Sequence, residues 1–268
     1  MTTLTTIDKL LGLALVILAG LTMFMLALPS TSLRFSQKNK KRRRQTMRPL
    51  PAFQTLRRAI GLAIEDGQGV HLSLGKANIL QADAASALSG LSTLERLAQL
   101  SIVSDQPPIV TSGDGSLAIL SQDTLQAAYR SGSAMAQYRP DLGRLAGPTS
   151  FSYVAGTMPV IHREKVYTNI LIGNYGPEIG LLCEAADREG TFTLAASDAL
   201  PAQAVLYATA QEPLIGEEMF AIPAYLKAGN FHRSSIQAQD LIRWVLIISL
   251  IVGALLKLLQ SLLGISIL

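Results

Sequence analysis

Cysteine is nearly absent from this chain. Cys183 is the only one in 268 residues, which excludes a disulfide framework, a cysteine–zinc cluster and a cysteine-ligated iron–sulfur site. Histidine is scarce as well: His71, His162 and His232 lie far apart and form no local metal motif, so no metal is expected. Charged residues make up only 16% of the chain against 49% hydrophobic residues. That balance excludes a disordered polyelectrolyte and is too apolar for an ordinary soluble enzyme. The motifs G-x-G-x-x-G, G-x-x-x-x-G-K-[ST] and G-x-S-x-G are missing too, which removes the main warrants for dinucleotide, P-loop and serine-hydrolase chemistry.

What charge there is lies unevenly. Residues 34–48 carry eight bases and no acid, among them Lys40, Lys41, Arg42, Arg43 and Arg44. The whole chain has 23 bases and 19 acids, so removing these eight leaves 15 against 19, a net −4 elsewhere. The basic pI near 9.3 therefore comes from one block. No basic stripe interleaved with aromatics occurs in the rest, so nucleic acid is not an expected partner.

Two apolar runs flank the body. Leu10–Leu28 has Thr22 as its only clearly polar member and would span about 28 Å as a helix, close to the ~30 Å hydrocarbon thickness. A cleaved signal peptide is the competing reading. The leading MTTLTTIDK has no positive excess, and the run exceeds the usual h-region, so a retained span over residues 7–29 is expected. The second span is expected over 241–263, with Arg243 and Trp244 suited to an interface and Lys257 near the far end. The basic linker, 30–48, directly follows span one. The positive-inside rule then places the N-terminus outside and the body, 49–235, in the cytoplasm, making a multi-pass protein of the cytoplasmic membrane. Lys40–Arg44 should lie against anionic headgroups.

The body reads as alternating strands and helices. PAFQTLRRAIGLAIEDG predicts a helix and VHLSLG a strand ending at Gly75. The Ala/Leu-rich stretch 82–105 predicts a helix, with Ser92 and Glu95 in a capping-box relation. PIVTSG predicts a strand before Gly113, and SQDTLQAAYRSG a helix with Ser121 as N-cap. Residues 150–156 and 158–161 read as extended. VYTNILIGN and FTLAAS predict strands, and PEIGLLCEAADREG, the run from Pro201 to Ala210, and EEMFAIPAYLKAG predict helices. The fold class is therefore α/β: a mostly parallel three-layer sheet domain flanked by two transmembrane helices.

Open α/β sheets bind ligands at the carboxyl ends of strands, which singles out two loops. One contains Ser112, Gly113 and Asp114; the other contains Gly173, Gly176 and Glu178. Glu217, in Gly216-Glu217-Glu218, is a third candidate, and Asp198 is another acid at a strand end. Each also has a sufficient structural reading, since Gly-Asp-Gly is ordinary turn chemistry and an acid favours a helix start. Cys183 reads as a small buried hydrophobe and His162 as part of a solvated turn. No catalytic residue is assigned, and the cofactor is unknown.

The segments VTSGDGSLAILSQDTL, SYVAGTMPVIHREKV, NILIGNYGPEIGLLCEAA, LPAQAVLYATAQEPLIGEEMFAIPAYL and FHRSSIQAQDLIRW carry a resemblance. Over roughly residues 55–260 the chain resembles a family of uncharacterised bacterial membrane proteins of green non-sulfur bacteria and related lineages. That resemblance implies an integral membrane protein with a cytoplasmic domain, and it brings with it no established activity, cofactor or catalytic residue. The expected function is a membrane-anchored scaffold that forms homo-oligomers or binds other membrane proteins. The alternative is a membrane-tethered sensor or enzyme for a small polar or nucleotide-like ligand.

Overall fold

The computed structural model describes residues 50–263 apart from 82 and 105, together with residues 12, 13, 16, 17, 20, 21 and 24. Those last seven are helical and exposed. The remainder of the first expected span, and the basic block Lys40–Arg44, lie outside the described residues.

Helix α1, Pro51–Glu65, opens on a proline, which is pre-set for a first helical turn. It buries Phe53, Leu56, Ile60 and Ala63 along one face. Strand β1, Gly69–Gly75, follows and is buried along its whole length. Helix α2 (Ala84–Ser101) leads to β2 (Ile109–Ser112), and α3 (Gly115–Ser131) leads through two 3-10 turns to β3 (Gly143–Leu145). Helix α4 (Ser150–Arg163) crosses to β4 (Val166–Asn174). Then come α5 (Ile179–Arg188), β5 (Phe192–Ser197), α6 (Leu200–Thr209), β6 (Glu212–Leu214) and α7 (Glu218–Tyr225).

The strands form one six-stranded sheet in the order β3-β2-β1-β4-β5-β6, parallel at every pairing. Leu72 sits between Val110 and Ile170, and Ile170 stands opposite Leu194, so an apolar row crosses the centre. Period-two alternation then divides the core. Leu72, Leu74, Ile170, Ile172 and Leu194 face α1, α2, α3 and α7. Leu171 and Ala195 face Tyr153 and Val154 of α4, Leu182 of α5 and Leu206 of α6. Two apolar layers thus cover a sheet buried on both sides, as an all-parallel sheet requires. The described residues from 50 to 228 belong to one compact unit.

Three expectations are corrected. Residues 150–161 are helix α4, not extended structure: Thr149 and Ser152 form a reciprocal capping box, and Tyr153, Val154, Thr157, Val160 and Ile161 are buried at helical spacing. Ser121 is not an N-cap. The helix starts six residues earlier, capped by Asp114, and Ser121 is buried within it, donating to the Ala118 carbonyl. Ser92 and Glu95 lie inside α2 rather than at its start.

The second unit contains α8, Asn230–Leu263, one uninterrupted 34-residue helix. Phe231–Leu255 is long and apolar enough to cross a membrane, and among the described residues it is the one helix that is. Val245, Leu246, Ile248, Leu250 and Ile251 are all exposed, so its apolar surface is not consumed by the chain itself.

Candidate functional site

From the centre of this sheet the chain winds one way through β1, β2 and β3 and the other way through β4, β5 and β6. At the boundary between β1 and β4 the following connections leave to opposite faces, α2 on one and α5 on the other, the position at which open α/β sheets form their ligand crevice. Both glycine-bearing loops singled out in the sequence end here. The Gly113 amide donates to the Gly75 carbonyl at 2.7 Å, and the Lys76 amide donates to the Asn174 carbonyl at 3.0 Å. Loops 111–116 and 173–178 therefore flank the end of β1, one on each side. Gly173 has a specific reason to be glycine: a Cβ there would stand 2.1 Å from the Leu74 carbonyl oxygen, so β1 and β4 could not approach as they do.

Lys76 is the centre of the polar cluster. Its Nζ meets Glu178 Oε1 at 3.0 Å and donates to Ser150 Oγ at the start of α4. Ser150 is thus an acceptor, not a hydroxyl yielding its proton to an amine. The Glu178 side chain is largely buried, and burial opposes its ionisation. Hydrogen bonds from its own backbone amide, from Lys76 and from the Gly176 amide (3.1 Å) outweigh that and leave its pKa below the ordinary value. On the other side, Asp114 accepts from the Ser116 and Leu117 amides at 2.9 and 3.1 Å, and from the Ser116 hydroxyl. The Ser116 hydroxyl is the main cause of its lowered pKa, and Asn78 adds a bond at 3.1 Å. One strand further along, Asn174 donates to Asp198 at 2.9 Å.

This arrangement limits what could bind. A helix N-terminus ordinarily attracts phosphate, but here the chain's own groups occupy those seats. Asp114 fills the start of α3, Thr149 caps α4, and Glu178 folds back over the loop that opens α5. The half-buried rim offers Lys76 against Asp114, Glu178 and Asp198, one cation to three carboxylates, with Asn78 and Asn174 as amides. Acceptors for hydroxyl or amine groups dominate over seats for an anion.

Beneath the crevice runs a buried polar chain that sequence reading missed. His71 Nδ1 donates to Asn169 Oδ1 at 2.7 Å, so Nε2 accepts from the Thr111 hydroxyl at 2.9 Å. Tyr153 OH lies 3.2 Å from Thr111 Oγ1 and 2.5 Å from Ser73 Oγ, which in turn is 2.7 Å from Tyr175 OH. The Gly75 amide donates to Tyr153 OH at 3.3 Å, linking this chain to the end of β1. Burial pushes His71 down to about 4 and both tyrosines up. The signal in sequence was the pair His71 and Ser73, polar residues two apart in a strand whose neighbours are all apolar.

The other candidates fall as follows. Glu217 is on the same edge, at the turn into α7, but the end of β5 separates it from loop 173–178. Cys183 is buried in the α5 layer. His162 is exposed in the last turn of α4, not in a turn between elements, and meets Glu189 at 2.6 Å. Among the described residues no three His, Cys, Asp or Glu side chains are grouped to hold a metal. A cavity of about 510 Å³ between α4 and α5 is lined by Met158, Ile161 and Leu181, and no residue of the Lys76 cluster lines it.

An all-parallel sheet in this strand order, wrapped on both faces, defines the doubly wound α/β class in which dinucleotide-binding domains are also built. The chain itself belongs to the family described as domain of unknown function (DUF6754), matched over residues 15–267. No curated protein and no solved structure matches it.

Proposed function

We propose that this protein is a membrane-anchored α/β domain that holds a small, hydroxyl-rich or nucleoside-like ligand at the β1/β4 crevice. The observation that carries the reading is the meeting of loops 111–116 and 173–178 on either side of Lys76. Asp114, Asp198 and the amides of Asn78 and Asn174 are suited to ligand hydroxyls or amines, and Lys76 to a carbonyl or carboxylate. The anchor is α8 together with the span expected over residues 7–29. The body is cytoplasmic and the Lys40–Arg44 block rests on anionic headgroups. Fold analogy supplies the location only; the acid-rich rim supplies the ligand class.

Asp114→Asn tests this cleanly, because asparagine caps a helix as well as aspartate does while losing the charge. Detergent-purified full-length protein would be titrated with a nucleoside and sugar panel, following the melting temperature. A ligand that raises it is expected to bind at least tenfold more weakly to Asp114→Asn, a loss separate from the lower unliganded melt that removing the hydrogen-bonded carboxylate causes. Equal affinity in Asp114→Asn and Glu178→Gln would overturn the assignment.

Scaffolding is the second reading, and α6 favours it. This helix carries no charged residue, and Leu200 and Tyr207 are 77% and 76% exposed. Contiguous apolar side chains on an uncharged helix suit a protein contact. Native mass spectrometry of the intact protein is expected to show a discrete oligomer that Leu200→Glu with Tyr207→Glu dissociates. A strictly monomeric particle removes the scaffold.

A further inference from the structure

Away from the crevice, a groove of about 280 Å³ runs between α1 and α2 beside the end of α7. Arg57, Arg96 and Lys227 line it, and no acidic residue does. Among the described residues none of these three cations is in an ion pair. Its walls include Ile60, Ile64 and Leu100, giving an apolar floor under a cationic rim. The arginines are held in place: Arg57 donates to the Tyr225 carbonyl and Arg96 Nε to the Leu226 carbonyl at 3.0 Å, where cations suit a helix C-terminus. Each guanidinium has five N–H donors, so several remain for an outside anion. Lys227, exposed and with φ +63, presents the third charge.

We propose that this groove is a binding site for an anionic phospholipid, its phosphate on Arg57, Arg96 and Lys227 and its glycerol and first acyl carbons on Ile60, Ile64 and Leu100. Three observations converge on that occupant. The charge is all of one sign, as a phosphodiester requires. The floor is apolar, which suits an amphiphile better than a free phosphate. In sequence the groove is built at both exits of the body: α1 starts three residues after the basic block ends at Arg48, and Lys227 precedes the candidate membrane helix by four residues. A lipid held there would fasten the body to the bilayer independently of the Lys40–Arg44 block. The proposal rests on membrane anchorage but not on a ligand at the Lys76 crevice.

Gly61 supplies the test. It lines the groove, and an added Cβ meets nothing within 4 Å, so Gly61→Leu plugs the space without a clash at the helix. Full-length protein in detergent would be mixed with equal phosphatidylglycerol and phosphatidylcholine, then analysed by native mass spectrometry. One phosphatidylglycerol per chain is expected to survive activation that strips phosphatidylcholine. Gly61→Leu should abolish that adduct, and Lys227→Asn, which keeps a residue tolerant of positive φ, should reduce it several-fold. The Lys40–Arg44 block is intact in both variants, so an adduct count unchanged by Gly61→Leu overturns the groove. Equal retention of the two lipids overturns the headgroup assignment. Retention of glycerol phosphate as strongly as the lipid overturns the amphiphile. A chain that stays soluble without detergent overturns anchorage itself, a result distinct from the other three.

Discussion

His71 shows how one residue can be both an interior anchor and a source of pH sensitivity. Burial holds its pKa at about 4, against 6.5 for an unperturbed imidazole, so the folded protein keeps it neutral. As pH falls below 6.5 the unfolded chain takes up a proton that the native state refuses until about 4. Stability contributed by the neutral His71 is therefore fully present above pH 6.5 and lost progressively between 6.5 and 4. The whole effect is on the order of 3 kcal/mol. Asp114 and Glu178 also lose stabilisation on acidification, but their lowered pKa values put that loss below about pH 4.5. Denaturant melts from pH 7 to 5 therefore cover most of the window in which the His71 contribution falls. His71→Gln, which keeps a donor and an acceptor but does not titrate, should flatten that slope; an unchanged slope would assign the sensitivity elsewhere.

Helices and strands differed in how plainly they could be read. β1, β4 and β5 were legible as short apolar runs closed by Gly75, Gly173 or a serine, and α5 by its acid-led, amphipathic start. α4 was not, although its buried positions recur at helical spacing, because Phe, Tyr, Val and Thr around Gly156 and Pro159 imitate a strand. β3 and β6 have three residues each, too few for a period to declare itself; their neighbours' pairing makes them strands. The two candidate loops were visible as turns, but their meeting depended on β4 pairing with β1, a contact spanning about a hundred residues that no local pattern encodes. Gly156 and Gly61 show how such contacts override propensity. Both are interior helix glycines, and propensity alone makes alanine better at each by about 1 kcal/mol. Gly61 faces open space, so Gly61→Ala should gain that amount. At Gly156 a Cβ would lie 2.1 Å from the Ala146 carbonyl oxygen, so Gly156→Ala should lose about 1–3 kcal/mol as α4 is pushed off β3. Denaturant melts of the two variants, moving in opposite directions, check the packing of α4.

At the scale of the whole molecule, the doubly wound body and the apolar helix after it impose different solvents on one chain. The body has two covered sheet faces and needs water around its helices, whereas the exposed leucines, isoleucines and valines of α8 need lipid or protein. Which side of the bilayer holds the body is an electrostatic question, because bases flanking a span are retained on the cytoplasmic side. Eight bases between residues 34 and 48 outweigh any charge ahead of Leu10, where Asp8 and Lys9 cancel. The chain also carries its own silent background for a labelling test. Cys183, its only thiol, is buried and pushed up to about 11, so an impermeant maleimide should ignore it. In intact cells Thr5→Cys, ahead of the first expected span, should be labelled. Ala127→Cys, exposed on α3, should react only after lysis. The reverse pattern would place the body outside and remove its basic block from the anionic inner leaflet. Labelling of both positions in intact cells would leave only one of the two expected spans crossing.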